Sequence, residues 1–442
     1  MTEMQSTQTP DSSAPKKAPQ VSINPAVDTA DSQAFKDPYS VPLNEINLIR
    51  PDIFHNDTHL AYFERLRKED PVYFQSVDVE GYDEPYTFWN VTRYDDIRYV
   101  DDNFKLFSSD GSIVVDDQDA EFPLPMFIAM DPPKHDLQRR DVAPVVAPRN
   151  LVNFEPVIRE RTQSVLDSLP IGEEFNFVDK VSIELTTRML ATLFDFPFED
   201  RAKLTRWSDV ATAAEGVVES EDQRRAELIE CLEYFTALWN QRVNKEGGND
   251  LISMLAHGQS TKDMEPMEYL GNLILLIVGG NDTTRNSMTG GVYFLNQNPD
   301  QYAKLNANFD LIPKMIPEII RYQTPLAYMR RTALEDTELR GKKIRKGDRV
   351  LMWYVSGNRD PEAFQQDPDK FIIDRPDARR HVSFGFGIHR CMGNRLGEMQ
   401  LRILWEEALK RFKEIEVVGD PVRVGSSFVK GYSSLPVILH AK

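Results

Sequence analysis

The chain has 442 residues, 41% of them hydrophobic and 28% charged, a composition that buries a large core in water. Its 52 basic against 70 acidic residues give a net charge of -18, which argues against nucleic acid as a partner and against general attraction to an anionic membrane. Two cysteines, Cys231 and Cys391, and seven scattered histidines offer neither a disulfide scaffold nor a multi-cysteine zinc site, and a reducing, cytoplasmic compartment fits.

Residues 1–44 are polar, rich in Ser, Thr, Pro, Gln and Asp, and lack an apolar run. They are expected to form a disordered tail, neither signal peptide nor anchor, ahead of one domain spanning 45–442. The longest apolar run elsewhere, Leu273 to Val278, is far short of the roughly 20 residues that span a bilayer, so no transmembrane segment is expected. A first helix is predicted over Asp57–Asp70, ended by Pro71. Strands follow at Val72–Gln75 and Tyr86–Thr92, with a turn containing Gly81 between them, and Thr92–Val100 returns to helix. The acidic, irregular stretch from Ser108 to Pro125 reads as a long loop, a feature that in compact folds is usually functional.

Asp131-Pro132-Pro133 then reads as a helix start, with Asp131 as cap. His135 and Arg139, four apart, fall on one face of that helix. Leu151–Pro197 holds two more helices, and Glu199–Glu246 is helical, charged and broken near Gly216. Cys231 lies in this last stretch as plain core. Gly247 to Asp250 is a clear break. A long helix is predicted from Met267 to Asn296, apolar through Leu275 and Val278 and interrupted by Gly279-Gly280-Asn281-Asp282-Thr283-Thr284. Two glycines inside a helix cost roughly 1 kcal/mol each relative to alanine, and buried polar groups need partners, so the cluster points to a local purpose. Room for a diatomic ligand, with a threonine hydroxyl bonded to a carbonyl one turn back, meets it. Thr283 then faces the oxygen and Asp282 turns toward solvent to relay protons, with Arg285 placed to pair with that carboxylate.

Further on, Glu318 and Arg321 share one face of a short helix that Pro325 terminates. Strands are expected at Arg331–Leu339 and Arg349–Tyr354, with Arg340–Asp348 as the turn between them. Near the end, Phe384 to Gly393 reads F-G-F-G-I-H-R-C-M-G, followed by an amphipathic helix over Asn394–Phe412. Glycine-rich backbone approaches a flat ligand closely, and a cysteine just before a helix N-terminus is biased toward thiolate. A lone thiolate so held suits an axial ligand to haem iron.

Phe384, Gly387, Cys391 and Gly393 fit the haem-binding pattern F-x-x-G-x-x-x-C-x-G, which resembles the cytochrome P450 superfamily. The Gly279–Thr284 run resembles that family's oxygen-binding motif, and Glu318 with Arg321 resembles its E-x-x-R motif, with Arg375 as the third member. The resemblance implies a mainly α haem-thiolate fold with a minor β-sheet, haem b held by the Cys391 thiolate, and O2 as co-substrate. It places His135, Arg139, Arg331 and His389 at the haem propionates, and Phe384, Gly385 and Gly280 against the cofactor. Glu318, Arg321 and Arg375 lock the segment that presents Cys391. The strings around Gly279–Met288, Pro325–Arg331 and His389–Leu396 resemble the soluble bacterial hydroxylases that attack the terminal carbon of medium-chain alkanes and fatty acids. On that likeness the substrate pocket is expected from Leu275, Val278, Gly279, Leu326, Ala327, Met329, Phe428 and Val429. No reductase-like extension follows the domain, so electrons from NAD(P)H are expected through an FAD-dependent ferredoxin reductase and a 2Fe–2S ferredoxin. That ferredoxin would dock on a local basic surface of Lys134, Arg139, Arg140, Arg379, Arg380 and Arg395. A peroxide-driven haem-thiolate enzyme is the alternative among enzymes, although peroxide users need no proton relay to O2. A haem-based gas sensor or electron carrier is the alternative from another class.

Overall fold

The computed structural model describes residues 37–78, 85–212 and 217–442. The turn at Gly81 and the break near Gly216 lie outside them, as do residues 1–36. Residues 37–44, inside the expected tail, are held to the body: Arg65 donates to the carbonyls of Pro38 and Val41.

Helices dominate. They are α1 (Pro51–His55), α2 (His59–Glu69), α3 (Tyr94–Asp102), α4 (Lys134–Val142), α5 (Pro148–Asp167), α6 (Glu184–Phe194) and α7 (Ala202–Ala211) in the first half. The second half adds α8 (Glu221–Arg242), α9 (Leu251–His257), α10 (Pro266–Gln297), α11 (Pro299–Ala307), α12 (Ile312–Gln323), α13 (Tyr354–Gly357) and α14 (Asn394–Arg411). The local chemistry explains the boundaries. Ser220 and Asp250 cap α8 and α9 by accepting from Gln223 N–H and Ser253 N–H, and Pro266 opens α10 where its missing N–H costs nothing. Asp131 is no such cap. Its carboxylate takes Ser109 N–H at 3.0 Å and the Ser108 hydroxyl, tying the long loop to the start of α4.

The strands are β1 (Val72–Val77), β2 (Tyr86–Val91), β3 (Phe107–Ser108), β4 (Glu174–Asn176), β5 (Met329–Ala333), β6 (Thr337–Leu339) and β7 (Lys342–Ile344), then β8 (Arg349–Met352), β9 (Phe412–Val417), β10 (Val422–Arg423), β11 (Tyr432–Ser434) and β12 (Pro436–Ala441). Among the described residues the largest sheet runs β1-β2-β8-β5-β3, with β2 and β8 parallel and the other pairs antiparallel. The predicted turn at 340–348 is itself part of a hairpin, because Lys342–Ile344 pairs back on Thr337–Leu339. Strand alternation decides what β5 presents. Met329 and Arg331 point one way, into the central cavity, while Arg330 turns the other way to the Val115 carbonyl and Asp117.

Helix α10 runs through the body and packs on α6, α7, α12 and α14. It is unbroken across Gly279–Thr284, so the expected interruption is absent. The Thr283 hydroxyl donates to the Gly279 carbonyl at 2.9 Å without removing that turn from the helix. No helix among the described residues is long and apolar enough to cross a membrane.

A buried cluster of charges joins α12 to the loop beyond β8. Glu318 and Arg321 on α12 and Arg375 in the loop beyond are fully buried or nearly so. Arg321 donates to both Glu318 oxygens at 2.7 and 2.8 Å, and Arg375 Nε reaches the same carboxylate at 3.1 and 3.2 Å. The remaining guanidinium donors go to the carbonyls of Asn358, Gln366, Asp367, Pro368 and Lys370. Full satisfaction is what allows two cations to share one anion away from water. Glu318→Ala leaves both cations unpaired and should cost about 3–5 kcal/mol. Chemical denaturation of the purified variant measures this, and stability within error of the parent would show that the cluster is not a clamp.

Candidate functional site

A cavity of about 1470 Å³ sits between α10, the sheet and the loop before α14. It exceeds the roughly 300–1,000 Å³ of ordinary ligand pockets, as it must if a flat cofactor and a substrate share it. Cys391 opens onto it. Its backbone N–H donates to the Phe384 carbonyl at 2.7 Å, closing the turn predicted from the glycines. Gly385 and Gly387 take left-handed φ of 66° and 62°. At Gly387 a side chain would also meet the Asp101 carbonyl at 2.6 Å, so glycine is required there twice over. Burial pushes the Cys391 thiol up, while the N–H groups of Gly393 and Asn394 and the charges of Arg139 and Arg390 pull it back toward thiolate.

Asp101 on α3, which sequence reasoning missed, fastens this loop. Its carboxylate accepts from Phe386 N–H at 2.7 Å, the Tyr354 hydroxyl at 2.8 Å and Arg331 Nη2 at 2.7 Å. Only the spacing of α3 in the chain could have hinted at it, and nothing in its neighbours marks it as special. Asn358 fastens the other side, accepting from Val382 N–H and donating to Ser383 Oγ, both at 2.8 Å. Its own carbonyl is held by Arg321, so the buried charge cluster and the cysteine loop are joined through one residue.

Four basic side chains gather beside the loop. Arg139, Arg331 and His389 line the cavity, and His135 stands behind with its ring centroid 4.1 Å from that of His389. Neither His389 nitrogen has a partner, nor does His135 Nε2, although all three are buried. Burial first, then the neighbouring Arg331, His135 and Arg139, pushes the His389 pKa far down. Buried donors left open beside two guanidinium groups are what the paired carboxylates of haem would satisfy, so the residues present fit that cofactor. Phe384, Gly385 and Gly280 line the same cavity.

On the opposite wall, Leu275, Gly279, Thr283 and Ser287 descend α10 at four-residue intervals and all face the cavity, with Val278 beside them. A side chain added at Gly279 would meet nothing within 4 Å, so its absence is open volume over the site. Leu326, Met329 and Phe428 complete the expected lining. Ala327 and Val429 do not reach it. Ala327 is buried against the Tyr328–Trp353 cluster and donates to the Phe428 carbonyl at 2.8 Å, and Val429 pairs with Leu326 as a bridge behind the wall. An apolar residue beside a pocket residue in an extended segment falls on the other face.

Asp282 also departs from expectation. It does not turn to solvent but is 1% exposed. Arg285 Nη2 lies 2.8 Å from its Oδ1, and Ser208 Oγ on α7 lies 3.3 Å from Oδ2. Burial raises its pKa from the ordinary 3.8 to about 6, against the pull of Arg285. Arg285 Nη2 also reaches Asp209 Oδ1 at 3.0 Å, and Asp209 is 27% exposed. Asp282 and Arg285 are therefore tied across to α7, a neighbour that adjacency in sequence could not show.

Comparisons with known proteins identify the family. The family model described as Cytochrome P450 matches residues 207–423. Linalool 8-monooxygenase from Pseudomonas putida is 33% identical, the match covering 90% of this chain and 99% of that protein. The Methyl-branched lipid omega-hydroxylase of Mycobacterium tuberculosis is 30% identical over 90% of this chain and 96% of its own. Among solved structures, Cytochrome P450-153 from Novosphingobium aromaticivorans superposes with a TM-score of 0.83 at 48% identity, covering 89% of this chain and 99% of that one. The chain thus belongs to the cytochrome P450 family of haem-thiolate monooxygenases, whose cofactor is haem b with an axial cysteine thiolate and whose co-substrate is O2.

Proposed function

We propose that this monooxygenase hydroxylates the terminal carbon of medium-chain linear substrates, n-alkanes or fatty acids, with electrons from NAD(P)H delivered through a ferredoxin reductase and a 2Fe–2S ferredoxin. The observation that carries this reading is the wall facing Cys391. Leu275, Val278, Leu326, Met329 and Phe428 surround the space left by Gly279 with apolar surface. Such a wall recognises a hydrocarbon by shape rather than by hydrogen bonds. Terminal C–H bonds are stronger than internal ones, so selectivity must come from presenting the methyl end. A tenfold preference needs only about 1.4 kcal/mol between competing transition states, which packing can supply. One relative named above is a lipid omega-hydroxylase, in keeping with this reading.

Cys391 is the residue that would hold the haem iron, with His135, Arg139, Arg331 and His389 at its carboxylates. The cofactor, when bound, supplies activation of O2 at that iron. The chain supplies the protons. Thr283 Oγ1 lines the cavity and holds its place by donating to the Gly279 carbonyl. Behind it, Asp282 keeps a proton on its carboxyl at mildly acid pH, and the Arg285–Asp209 pair leads from there to the surface. For electron entry, Arg140, Arg380 and Arg395 are exposed on the cysteine side, whereas Lys134 is paired with Glu268 and Arg379 with Glu398. The docking surface we propose for ferredoxin therefore rests on the first three rather than on all six arginine and lysine positions expected from sequence.

Gas chromatography of n-octane products, with ferredoxin, reductase and NADH, should show mainly 1-octanol, and Leu326→Ala should shift oxidation inward. A parent product mixture of mainly 2-, 3- and 4-octanol would overturn the terminal assignment.

A second outcome concerns protons. Product formed per NADH should fall in Thr283→Ala while haem content stays. In the parent it should decline as pH rises through about 6, because Asp282 loses its proton there. The sign is the same for stability: the folded state holds this proton more tightly than the unfolded chain, so the contribution is full below 3.8 and lost as pH rises through about 6. Asp282→Asn should accordingly flatten the coupling profile and unfold no more easily than the parent at neutral pH. Coupling unchanged in both variants would remove these residues from proton delivery.

A further inference from the structure

The cavity that Cys391 faces also reaches the first turns of α8 and the loop before α4, where Glu221, Arg224, Glu121 and Phe122 line it. Two arginines stand side by side on that helix and differ in what they do. Arg225 leaves the cavity to bind the loop, pairing with Asp119 and, at 3.5 Å, with Glu121, and its guanidinium lies 5.9 Å from the Phe122 ring centroid. Arg224 lines the cavity and is only partly engaged. Its Nη1 donates to Glu221 Oε1 at 2.7 Å, one turn back on the same helix, while its Nε is buried with no hydrogen-bond partner.

The edge formed by Nε and Nη2 takes no part in that pair. Two parallel N–H bonds on one edge of a guanidinium match the two oxygens of a carboxylate, and a buried donor left open has a cost that such a ligand removes. The other cavity arginines are already placed at the cysteine loop, where Arg139 donates to the Arg390 carbonyl and Arg331 to Asp101. Among the described residues, Arg224 is therefore the cavity arginine with a carboxylate-matching edge and no assignment to the cofactor.

We propose that Arg224 receives the carboxylate of a fatty acid whose chain occupies the apolar cavity and whose methyl end is presented toward Cys391. This rests on the terminal-hydroxylase reading and narrows it to acids over alkanes. Of the acidic neighbours, Asp119 and Glu121 are held by Arg225, which leaves Glu221, paired with Arg224 itself, to compete with the ligand. An incoming carboxylate shares the guanidinium with Glu221, so neutralising Glu221 should strengthen binding.

The test is titration of the haem-loaded protein with dodecanoate, methyl dodecanoate and dodecane, followed by calorimetry and by the substrate-induced spectral change. Arg224→Leu should weaken dodecanoate by about tenfold or more, equivalent to about 1.4 kcal/mol, and change the ester and the alkane by less than about a factor of two. Arg224→Lys should restore part of the loss, and Glu221→Gln should tighten dodecanoate alone. An unchanged dodecanoate affinity, or equal losses for all three ligands, overturns the proposal. The two readings fail separately. Terminal products with an Arg224-independent affinity would sink the anchor only. Subterminal products with an Arg224-dependent affinity would sink the terminal assignment and leave the anchor standing.

Discussion

A single buried carboxylate, Glu318, holds two buried guanidinium groups, and the position of the reactive thiol descends from that arrangement. Arg321 spends its spare donors on the carbonyls of Asn358, Pro368 and Lys370, and Arg375 spends its own on Gln366, Asp367 and Lys370. Asn358 in turn grips Val382 and Ser383, and the carbonyl of the next residue, Phe384, fixes the N–H of Cys391 seven residues further on. The links are hydrogen bonds among buried and part-buried groups, and where such a group is buried a missing partner costs more than a present one gains. Buried ion pairs are poor sources of net stability, but they specify one arrangement, and here the arrangement is a loop that must present a thiol to a flat cofactor.

Helix α10 meets the opposite constraint. It is buried along most of its length, yet it carries Asn281, Asp282 and Arg285 in its middle. Those groups are tolerable because α6 and α7 bring partners: Thr186 to Asn281 at 2.8 Å, and Ser208 and Asp209 to Asp282 and Arg285. The same turn of helix therefore shows a polar face to the interior packing and a nearly bare face to the cavity. The proton route we propose thus lies on one side of the helix, while Leu275, Val278, Gly279 and Thr283 line the cavity on the other.

Much of this was legible in the chain. The glycine spacing around Cys391, the unbroken apolar run into Gly279 and the E-x-x-R pair name the three elements that build the site, because each violates an ordinary preference of helix or core. The mainly helical class came with the family resemblance that these motifs carry, and periodicity placed individual helices such as α10 and α14. What escaped was whatever depends on a partner distant in sequence. Asp101 is an ordinary acid in a surface-like helix until the fold sets it under the cysteine loop. Asp282 reads as solvent-facing until α7 covers it. Ala327 and Val429 look like pocket walls because they adjoin residues that are, and alternation sends them to the other face. The basic surface thins once Lys134 and Arg379 find carboxylates that composition could not assign to them.

The central claim is that the fold delivers the end of a linear chain, not its middle, to the place that Cys391 defines. A crystal structure of the haem-loaded protein with dodecane bound tests it most directly. The account predicts that a terminal methyl carbon is the substrate atom nearest the iron, with the chain running past Leu275, Val278 and Leu326. Density showing the chain bent, with an internal carbon nearest the iron and both ends directed away, would contradict it.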